Sequence, residues 1–520
     1  MEYLNFKQLE HAAGIHRTEL FRLGAALLFI VGIMLFVNAK AGGAQGATML
    51  VAAAMIGGYM ALNIGANDVA NNVGPAVGSR AITMTGAILI AAIFEASGAL
   101  IAGGSVVGTI KKGIIDPGLI ANADTFIWLM TAALLAAALW LNMATWMGAP
   151  VSTTHSIVGG VLGAGIAAGG WSIANWPKMG QIAASWVISP LMGGIIAAGF
   201  LYLIKRTIIY QSDKLASARR VVPWLLAVMT WAFSTYLLLK GFKHVYKMGL
   251  PLAASVGLAC AVALFFIARP IIARISEKQE NTREGVNALF TWPLIFSAAL
   301  LSFAHGANDV ANAVGPLAGI NDAIMHGAVS RKAGIPLWVM AVGAMGIALG
   351  LALYGPKLIR TVGSEITELD KMRAFCVALA AAITVIIATQ FGLPVSSTHI
   401  AVGGVFGVGF LREFFEANYR RMIEEIREHH ADDPDPQAVE RFLEAFEKAS
   451  LAEKGEMLRR LKAEKGLRKK ERKKLKHVYR EQLVKRSMLL KIAAAWVITV
   501  PLSALLAAML YFTIRGMLLP

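Results

Sequence analysis

Long apolar runs recur along the whole chain and most constrain its fold. Each is about 18 residues or longer, which as a helix spans a hydrocarbon core of about 30 Å. Only 16% of the residues are charged, whereas a soluble protein usually carries about 25%. The sequence therefore predicts an all-α polytopic membrane protein, with runs at 20–38, 47–64, 81–103, 125–146, 178–204, 221–240, 250–268, 288–305, 336–355, 373–391 and 488–512.

A polar segment interrupts these runs where membrane depth is expected. Residues 63–80 read NIGANDVANNVGPAVGSR and place Asp68 among four Asn residues, several Gly residues and one Pro. Gly and Pro disfavour a continuous helix, and hydrocarbon tolerates non-helical backbone only where protein covers it or where it lines a cavity. We therefore predict a broken helix at this point.

The interrupted segment belongs to a duplicated sequence. FAHGANDVANAVGPLAG at 303–319 repeats its motif and aligns Asp309 with Asp68. Two further segments return in the same order, which indicates an internal repeat. They are GAPVSTTHSIVGG at 148–160 with GLPVSSTHIAVGG at 392–404, and ASWVISPLMGGIIAA at 184–198 with AAWVITVPLSALLAA at 494–508.

Basic segments set the expected orientation of the helices. Loops 205–220 and 269–283 and the insertion 412–487 are rich in Lys and Arg, so we place all three in the cytoplasm. Corresponding helices of the two halves then run in opposite directions, which defines two inverted-topology repeats with broken or re-entrant helices. If the shorter apolar segments near 150–168 and 394–411 also cross, the chain makes about 13 membrane crossings. The N-terminus is then cytoplasmic and the C-terminus lies outside.

The duplication also gives the boundaries of the parts of the chain. Two helices join the repeats, and one extra helix precedes them. The expected parts are an N-terminal tail with the extra helix (1–46), the first repeat (47–204), connecting helices with basic loops (205–286), the first part of the second repeat (287–411), a basic cytoplasmic helical insertion (412–487) and the last helix of the second repeat (488–520).

The two interrupted segments point to a transport site, because broken elements at matching positions of inverted repeats line substrate sites. New helix N-termini suit an anion, and carboxylates with free carbonyls suit a hard cation such as Na⁺. A carboxylate in the membrane centre costs about 2.5–3.5 kcal/mol. Asp68 and Asp309 have no Lys or Arg within their motifs, so a bound cation is the expected partner. The alternative is that each Asp only caps a broken helix.

Other polar groups in the apolar segments are candidate site residues, although each could instead have a purely structural role. The hydroxyls of PVSTTH and PVSSTH can contact oxyanions, or they can cap helices. His155 and His399 can bind substrate oxygens, or each can be held by one hydrogen bond. Glu95 is an intramembrane acid and so a functional candidate, although a hydrogen-bond donor could also satisfy it. The second half has no counterpart of Glu95.

Several classes of protein find no support in the sequence. The chain has no nucleotide-binding P-loop for primary pumping, and it has no HExxH or comparable cluster for a metalloenzyme. Opposed repeats suit alternating access and do not suit a simple pore. We therefore interpret the chain as a secondary transporter and not an enzyme, with a channel, a membrane phosphatase and a receptor as the competing classes.

The GANDVANNVGP, GANDVANAVGP and PVS(T/S)TH motifs resemble those of the PiT family of inorganic phosphate transporters. The resemblance covers about 47 to 411 and the last helix. It implies secondary import of phosphate across the cell membrane by cation symport. The GANDVAN form resembles Na⁺-coupled members, and proton-coupled phosphate permeases or sulfate permeases of the same family are the alternative. Animal members carry an acid where this chain has Ala378.

The resemblance also implies roles for individual residues, with no cofactor beyond the coupling ion. The implied phosphate-binding residues are Asn67, Asn71, Ser152, Thr153, Thr154, Asn308, Asn312, Ser396, Ser397 and Thr398. The implied Na⁺ ligands are Asp68, Asp309, Asn71 and Asn312. Glu95 matches a coupling Glu of the family.

The insertion at 412–487 is rich in Lys and Arg and has a dense run of positive charge from Arg468 to Lys476. Its apolar spacing predicts amphipathic helices, and anionic lipid attracts such segments by about 1 kcal/mol per basic residue. A solvated helical hairpin and a regulatory surface are the other interpretations, and nucleic-acid binding is not expected. A homodimer is expected because dimers are common among helical transporters.

Overall fold

The computed structural model describes residues 6–42, 46–147, 151–241, 248–327, 334–364, 369–429 and 486–518, and these are helical almost throughout. The helices are α1 (Phe6–Ala41), α2 (Ala47–Asn67), α3 (Val69–Gly78), α4 (Met84–Ala102), α5 (Gly104–Lys112), α6 (Ala123–Trp146), α7 (Thr153–Gly169), α8 (Trp176–Ile204), α9 (Lys214–Lys240), α10 (Leu250–Ser276), α11 (Arg283–Leu289), α12 (Thr291–His326), α13 (Leu337–Ser364), α14 (Lys371–Gln390), α15 (Ser397–His429) and α16 (Arg486–Leu518).

Eleven spans in the described ranges are long and apolar enough to cross a membrane. They correspond to the long apolar runs of the sequence, which confirms the prediction of an all-helical polytopic membrane protein. The two shorter apolar segments form α7, which has 17 residues, and the first part of α15. That these two helices also cross the membrane stays a prediction.

The two GANDVAN segments differ in the helix break that was expected in each of them. α2 and α3 meet at Asp68, whose φ of −85° and ψ of −35° are helical. The only irregularity there is a tightened turn, in which Asn71 N donates to Asp68 O. In the second copy, α12 runs without interruption through Asp309. The prediction of broken backbone is therefore wrong at 303–319, whereas the segment 63–80 is divided at Asp68 by this tightened turn alone and its helix ends at Gly78.

The glycines of these segments serve close helix packing instead. A side-chain carbon at Gly65 would collide with the backbone oxygen of Ile347 in α13. One at Gly306 would collide with the backbone oxygen of Glu95 in α4. Helical glycine costs about 1 kcal/mol relative to alanine, and the contact made possible between two backbones offsets that cost.

The helix breaks lie before the two PVS(T/S)TH segments. α6 ends at Trp146 and α7 begins at Thr153. In the second half, α14 ends at Gln390 and α15 begins at Ser397, with Gly392 at a φ of 65° between them. The N-termini of α7 and α15 are buried, so these breaks place two helix ends inside the protein.

The two halves of the chain interdigitate around a buried centre. α12 is the most buried span, and α1 and α10 are the least buried. α7 of the first half packs along α16 of the second, and α15 of the second half packs along α8 of the first. The insertion begins as a continuation of α15 to His429. Its expected amphipathic helices from 430 to 485 lie outside the described residues.

Candidate functional site

Two carboxylates from the two halves meet at the centre of the helices. Asp68 and Asp309 are both fully buried. The Oγ1 atom of Thr153, at the start of α7, lies 2.5 Å from Asp68 Oδ2 and 3.3 Å from Asp309 Oδ2. Its single proton can serve only one of them. The side chain of Asp68 caps no helix and Asp309 lies inside α12, so the capping alternative is wrong for both residues.

The asparagine of each GANDVAN motif reaches the hydroxyl segment of the other half. Asn71 Nδ2 donates to Thr398 Oγ1 at 2.9 Å, and Thr398 Oγ1 donates to Asp68 Oδ1 at 3.1 Å. Asn312 Nδ2 lies 3.1 Å from Oγ1 of both Thr153 and Thr154. The site is therefore assembled from both halves, and neither half completes it alone.

Glu95 belongs to the same polar cluster through a histidine. His305 Nδ1 lies 2.7 Å from Glu95 Oε2, and His305 Nε2 lies 3.1 Å from Asp309 Oδ2. Asn72 Nδ2 donates to Glu95 Oε1 at 2.7 Å. All four side chains are buried. Glu95 is thus linked to the carboxylate of the second half, and a histidine bridges the two acids.

Several buried oxygen atoms around the two carboxylates make no hydrogen bond within the described residues. Buried polar atoms normally have a hydrogen-bond partner. These oxygen atoms therefore indicate a binding site for a ligand that accepts lone pairs. Hard cations take such carboxylate and amide oxygens, and one atom each of Asp68, His305 and Asp309 lies within 4.8 Å of the other two. The oxygens are Asn71 Oδ1, Asn72 Oδ1, Asn308 Oδ1, Asp309 Oδ1, Asn312 Oδ1 and Ser397 Oγ.

The N-termini of α7 and α15 give the same region an anion-binding character. The first backbone N–H groups of a helix have no partner within it, and the helix dipole favours negative charge at that end. Ser152 Oγ accepts from His155 N, and Ser396 Oγ accepts from His399 N. These two serines are therefore helix caps, and each retains its hydroxyl proton and one lone pair for a ligand. Thr153 and Thr398 each lie between a helix N-terminus and Asp68.

A matching pair of hydrogen bonds borders the site on two sides. Asn67 Nδ2 donates to Thr145 Oγ1 at 2.9 Å at the end of α6. Asn308 Nδ2 donates to Thr389 Oγ1 at 2.8 Å at the end of α14. Each asparagine directly precedes the aspartate of its GANDVAN motif. Its partner threonine lies in the last turn of α6 or α14, just before a helix break. These asparagines border the site and support its neighbouring helices.

The two histidines of the PVS(T/S)TH segments meet each other beside the site. The ring centroids of His155 and His399 lie 4.4 Å apart in an edge-on arrangement. The Trp186 ring packs on His155 at 3.8 Å, and Trp186 Nε1 donates to the Pro394 carbonyl oxygen. The equivalent histidines of the two halves are therefore in contact. Thr154, which was also predicted for the site, donates to the Val395 carbonyl oxygen.

Four residues of the site were not predicted from the sequence. His305 and Asn72 complete the cluster, and Thr145 and Thr389 border it. The signal was present for the first two residues. His305 stands where the first copy has Ile64, and Asn72 stands where the second copy has Ala313. A position-by-position comparison of the copies shows both differences. The two threonines lie far from the motifs in sequence and carry no such signal.

The fold and the site together define a polytopic membrane protein. Its buried, oxygen-rich site contains side chains from both halves of the chain. Relatives agree with this class. The sequence model described as "Phosphate transporter family" matches residues 64–507. A Helicobacter pylori strain J99 protein named "Putative phosphate permease" is 54% identical over 525 residues, which cover 98% of each chain. A Pyrococcus abyssi protein described by the same words is 41% identical over 360 residues, covering 69% of this chain and 88% of its own.

A solved structure is also similar to this chain. It is described as "The sodium-dependent phosphate transporter" and superimposes with a TM-score of 0.75 at 31% identity, covering 91% of this chain and 100% of its own. The chain belongs to the phosphate transporter family, as the motifs indicated. It is a membrane transporter of phosphate and not an enzyme.

Proposed function

We propose that the protein imports inorganic phosphate together with Na⁺ by alternating access. The observation that carries the proposal is the group of buried, unpaired oxygens around Asp68 and Asp309, beside two helix N-termini. No Lys or Arg in the described residues forms an ion pair with either carboxylate. The negative charge of the acids repels a phosphate anion, so a cation that binds to them favours phosphate binding, and this couples the two solutes.

The arrangement supports separate places for the two solutes. Asp68, Asp309, Asn71 and Asn312 offer side-chain oxygens to Na⁺, and the resemblance assigns the same residues. The phosphate oxygens would lie at the N-termini of α7 and α15, where the backbone N–H groups and the Ser397 hydroxyl can donate. Glu95 would act in coupling through His305, because His305 connects it with Asp309.

We further propose that the halves are inverted-topology repeats. In α15 and α8, Gly403 approaches Pro190 and Gly407 approaches Gly194 in the same order, so these helices run parallel. α7 and α8 run in opposite directions, because the short connection 170–175 joins the end of α7 to the start of α8 and Trp186 of α8 returns to His155 at the start of α7. α15 then runs opposite to α7, its counterpart in sequence. The same proposal places the N-terminus in the cytoplasm and the C-terminus outside.

The test is phosphate uptake into liposomes that contain the purified protein. We expect labelled phosphate to accumulate with an inward Na⁺ gradient and not with an equal K⁺ gradient, and unlabelled sulfate to compete weakly. A membrane potential of 100 mV adds about 2.3 kcal/mol per net charge moved, so the potential is clamped with K⁺ and valinomycin. Uptake driven by a proton gradient alone would contradict Na⁺ coupling, and strong sulfate competition would contradict phosphate selectivity.

Two variants connect the result to the site. Asp68→Asn and Asp309→Asn keep the size of each side chain and remove its charge, so we expect both to lose Na⁺-driven uptake. Asp124→Asn, an exposed position in the first turn of α6, is the matched control and should retain parental uptake. Parental rates in the two site variants, with normal insertion, would overturn the assignment of the cation site.

Dimer formation and the role of the insertion are separate proposals. We expect a homodimer in mild detergent, measurable by light scattering. The basic insertion lies largely outside the described residues, and its attraction to anionic lipid rests on its charge alone.

A further inference from the structure

A cavity of about 540 Å³ lies between α1, α2, α6 and α13. Its lining includes Asn63, Ala66 and Thr145. Thr145 Oγ1 accepts the hydrogen bond from Asn67, the residue beside Asp68. One layer of side chains therefore separates the cavity from the candidate site, and the volume is within the range of small-ligand pockets.

The equivalent place in the second half is filled. Ala66 and Leu62 line the cavity, and their counterparts in the duplicated sequence are Ala307 and Phe303. These two residues are buried in an apolar cluster together with Tyr236 of α9. The ring of Phe233, also in α9, meets the Phe303 ring at 5.2 Å. A cavity thus approaches the site on the α1 side, whereas side chains of α9 fill the equivalent place in the second half.

The mouth of the cavity carries two cations from separate helices. Arg22 of α1 and Lys357 of α13 both line it, and Glu19 is the only acid among the lining residues. Glu19 Oε1 accepts from Arg22 Nη1 at 2.8 Å, and both side chains are partly exposed. The hydroxyl group of Tyr354 adds a donor to the same wall. The lining therefore has a net positive charge, which concentrates anions.

We propose that this cavity is a second subsite for a phosphate oxyanion, placed between the central site and one face of the membrane, and that Arg22 and Lys357 hold the oxyanion there. The proposal rests on the proposed phosphate transport. Free phosphate released from the central site and the headgroup of a phospholipid offer the same oxygens, so both are sources of the ligand. Glu19 competes with the oxyanion for the Arg22 guanidinium.

The experiment measures phosphate transport in both directions in liposomes with protein of one orientation. For Arg22→Gln and Lys357→Gln, we expect the KM for phosphate to rise about three- to tenfold from the cavity side. The KM from the other side and the KM for Na⁺ should stay parental. Arg22→Lys should recover part of the loss because it restores the charge. Arg17→Gln is the matched control, since Arg17 is an exposed cation of the same helix outside the cavity lining.

Glu19→Gln should change the cavity-side KM for phosphate in the opposite direction. It frees Arg22 from its ion pair, so we expect the cavity-side KM for phosphate to fall. Unchanged cavity-side KM in Arg22→Gln, Lys357→Gln and Glu19→Gln, with normal Na⁺-driven uptake, would overturn the subsite and leave the proposed function intact. Absence of Na⁺-driven uptake in the parent would instead overturn the proposed function.

Native mass spectrometry distinguishes the two sources. The parent and the Arg22→Gln variant are purified in the same detergent and titrated with inorganic phosphate. Phosphate adducts that diminish in the variant support free phosphate as the ligand. A retained phospholipid that is lost in the variant supports the headgroup. Equal occupancy of both ligands in parent and variant would overturn the proposal.

Discussion

His305 Nδ1 lies 2.7 Å from Glu95 Oε2, and both side chains are fully buried. The equivalent place in the other half holds no ionisable group. Gly306 packs on the backbone of Glu95 as Gly65 packs on the backbone of Ile347, so position 347 corresponds to position 95. His305 corresponds to Ile64 by the offset of the motifs. The two repeats therefore pack alike at this contact, but only the pair formed by Glu95 and His305 can carry charge.

The first expectation concerns the coupling between these two side chains in stability. Removing one member of this buried hydrogen-bonded pair leaves a polar group of the other without its partner, which typically costs about 1–3 kcal/mol and more for a charged group. We expect Glu95→Ile and His305→Ile each to lower the thermal unfolding temperature in detergent. The double variant reproduces the apolar pair of the first half. It should unfold at a higher temperature than either single variant.

A double-mutant cycle gives the outcome that would contradict this expectation. Additive losses in the double variant would mean that the two side chains do not act as a pair. Uptake of phosphate by the double variant reports separately on coupling. If Glu95 acts in coupling, Na⁺-driven uptake should stay absent even where stability recovers.

The hydroxyl of Thr153 is expected to support cation binding at Asp68. Thr153→Val keeps the shape of the side chain and removes the group that lies 2.5 Å from Asp68 Oδ2. A hydrogen bond to a charged group contributes about 1.5–3 kcal/mol, so we expect the KM for Na⁺ to rise at least about tenfold. Thr153→Ser retains the hydroxyl and is the matched control. A rise of equal size in both variants would contradict the role of the hydroxyl.

How far the sequence could predict this structure is clearest in the GANDVAN segments. The long apolar runs predicted the membrane class, because length and hydropathy decide whether a helix spans a bilayer. The duplicated motif located Asp68 and Asp309. Gly65 and Gly306 were misread as helix-breaking residues because glycine propensity is a local property. Their contacts with Ile347 and Glu95 are tertiary and leave no mark in the local sequence.

The buried ion pair between Lys111 and Asp322 is a second example. Lys111 Nζ lies 2.9 Å from Asp322 Oδ2, and the two residues are far apart in the chain. Neither residue belongs to a motif that predicts a role for it. No motif joins α5 with α12, so only the packing of the two helices reveals the pair. The same holds for Thr145 and its hydrogen bond with Asn67.

Close packing at the two motif glycines gives the third expectation. Gly65→Ala and Gly306→Ala add a carbon that collides with the backbone of a neighbouring helix. Overpacking typically costs about 1–3 kcal/mol, and a backbone oxygen cannot move aside as a side chain can. We expect lower yields of folded protein and a lower unfolding temperature by size-exclusion chromatography after heating. Gly199→Ala in α8 has open space around the added carbon, and parental stability is expected there.

The last expectation concerns the closed side of the site. Phe233 and Tyr236 of α9 pack on Phe303 where the cavity of the other half is open. Phe233→Ala should loosen this contact and admit water from that side. We would measure labelling of an Ala307→Cys thiol by a membrane-impermeant maleimide, in a background with Cys260→Ser to remove the exposed thiol. Ala307 is fully buried, so labelling should be slow in the parent background and faster with Phe233→Ala.

Phe265→Ala is the matched control, because Phe265 packs on Trp224 at the interface of α9 and α10 and does not contact the cluster. Faster labelling with both alanine variants would indicate a general loosening of α9 and would contradict a specific closure by Phe233. Faster labelling with Phe233→Ala alone would identify α9 as the barrier that must move for the site to open on its second side. The two joining helices would then have a direct part in alternating access, since α9 connects the halves whose relative motion transports the substrate.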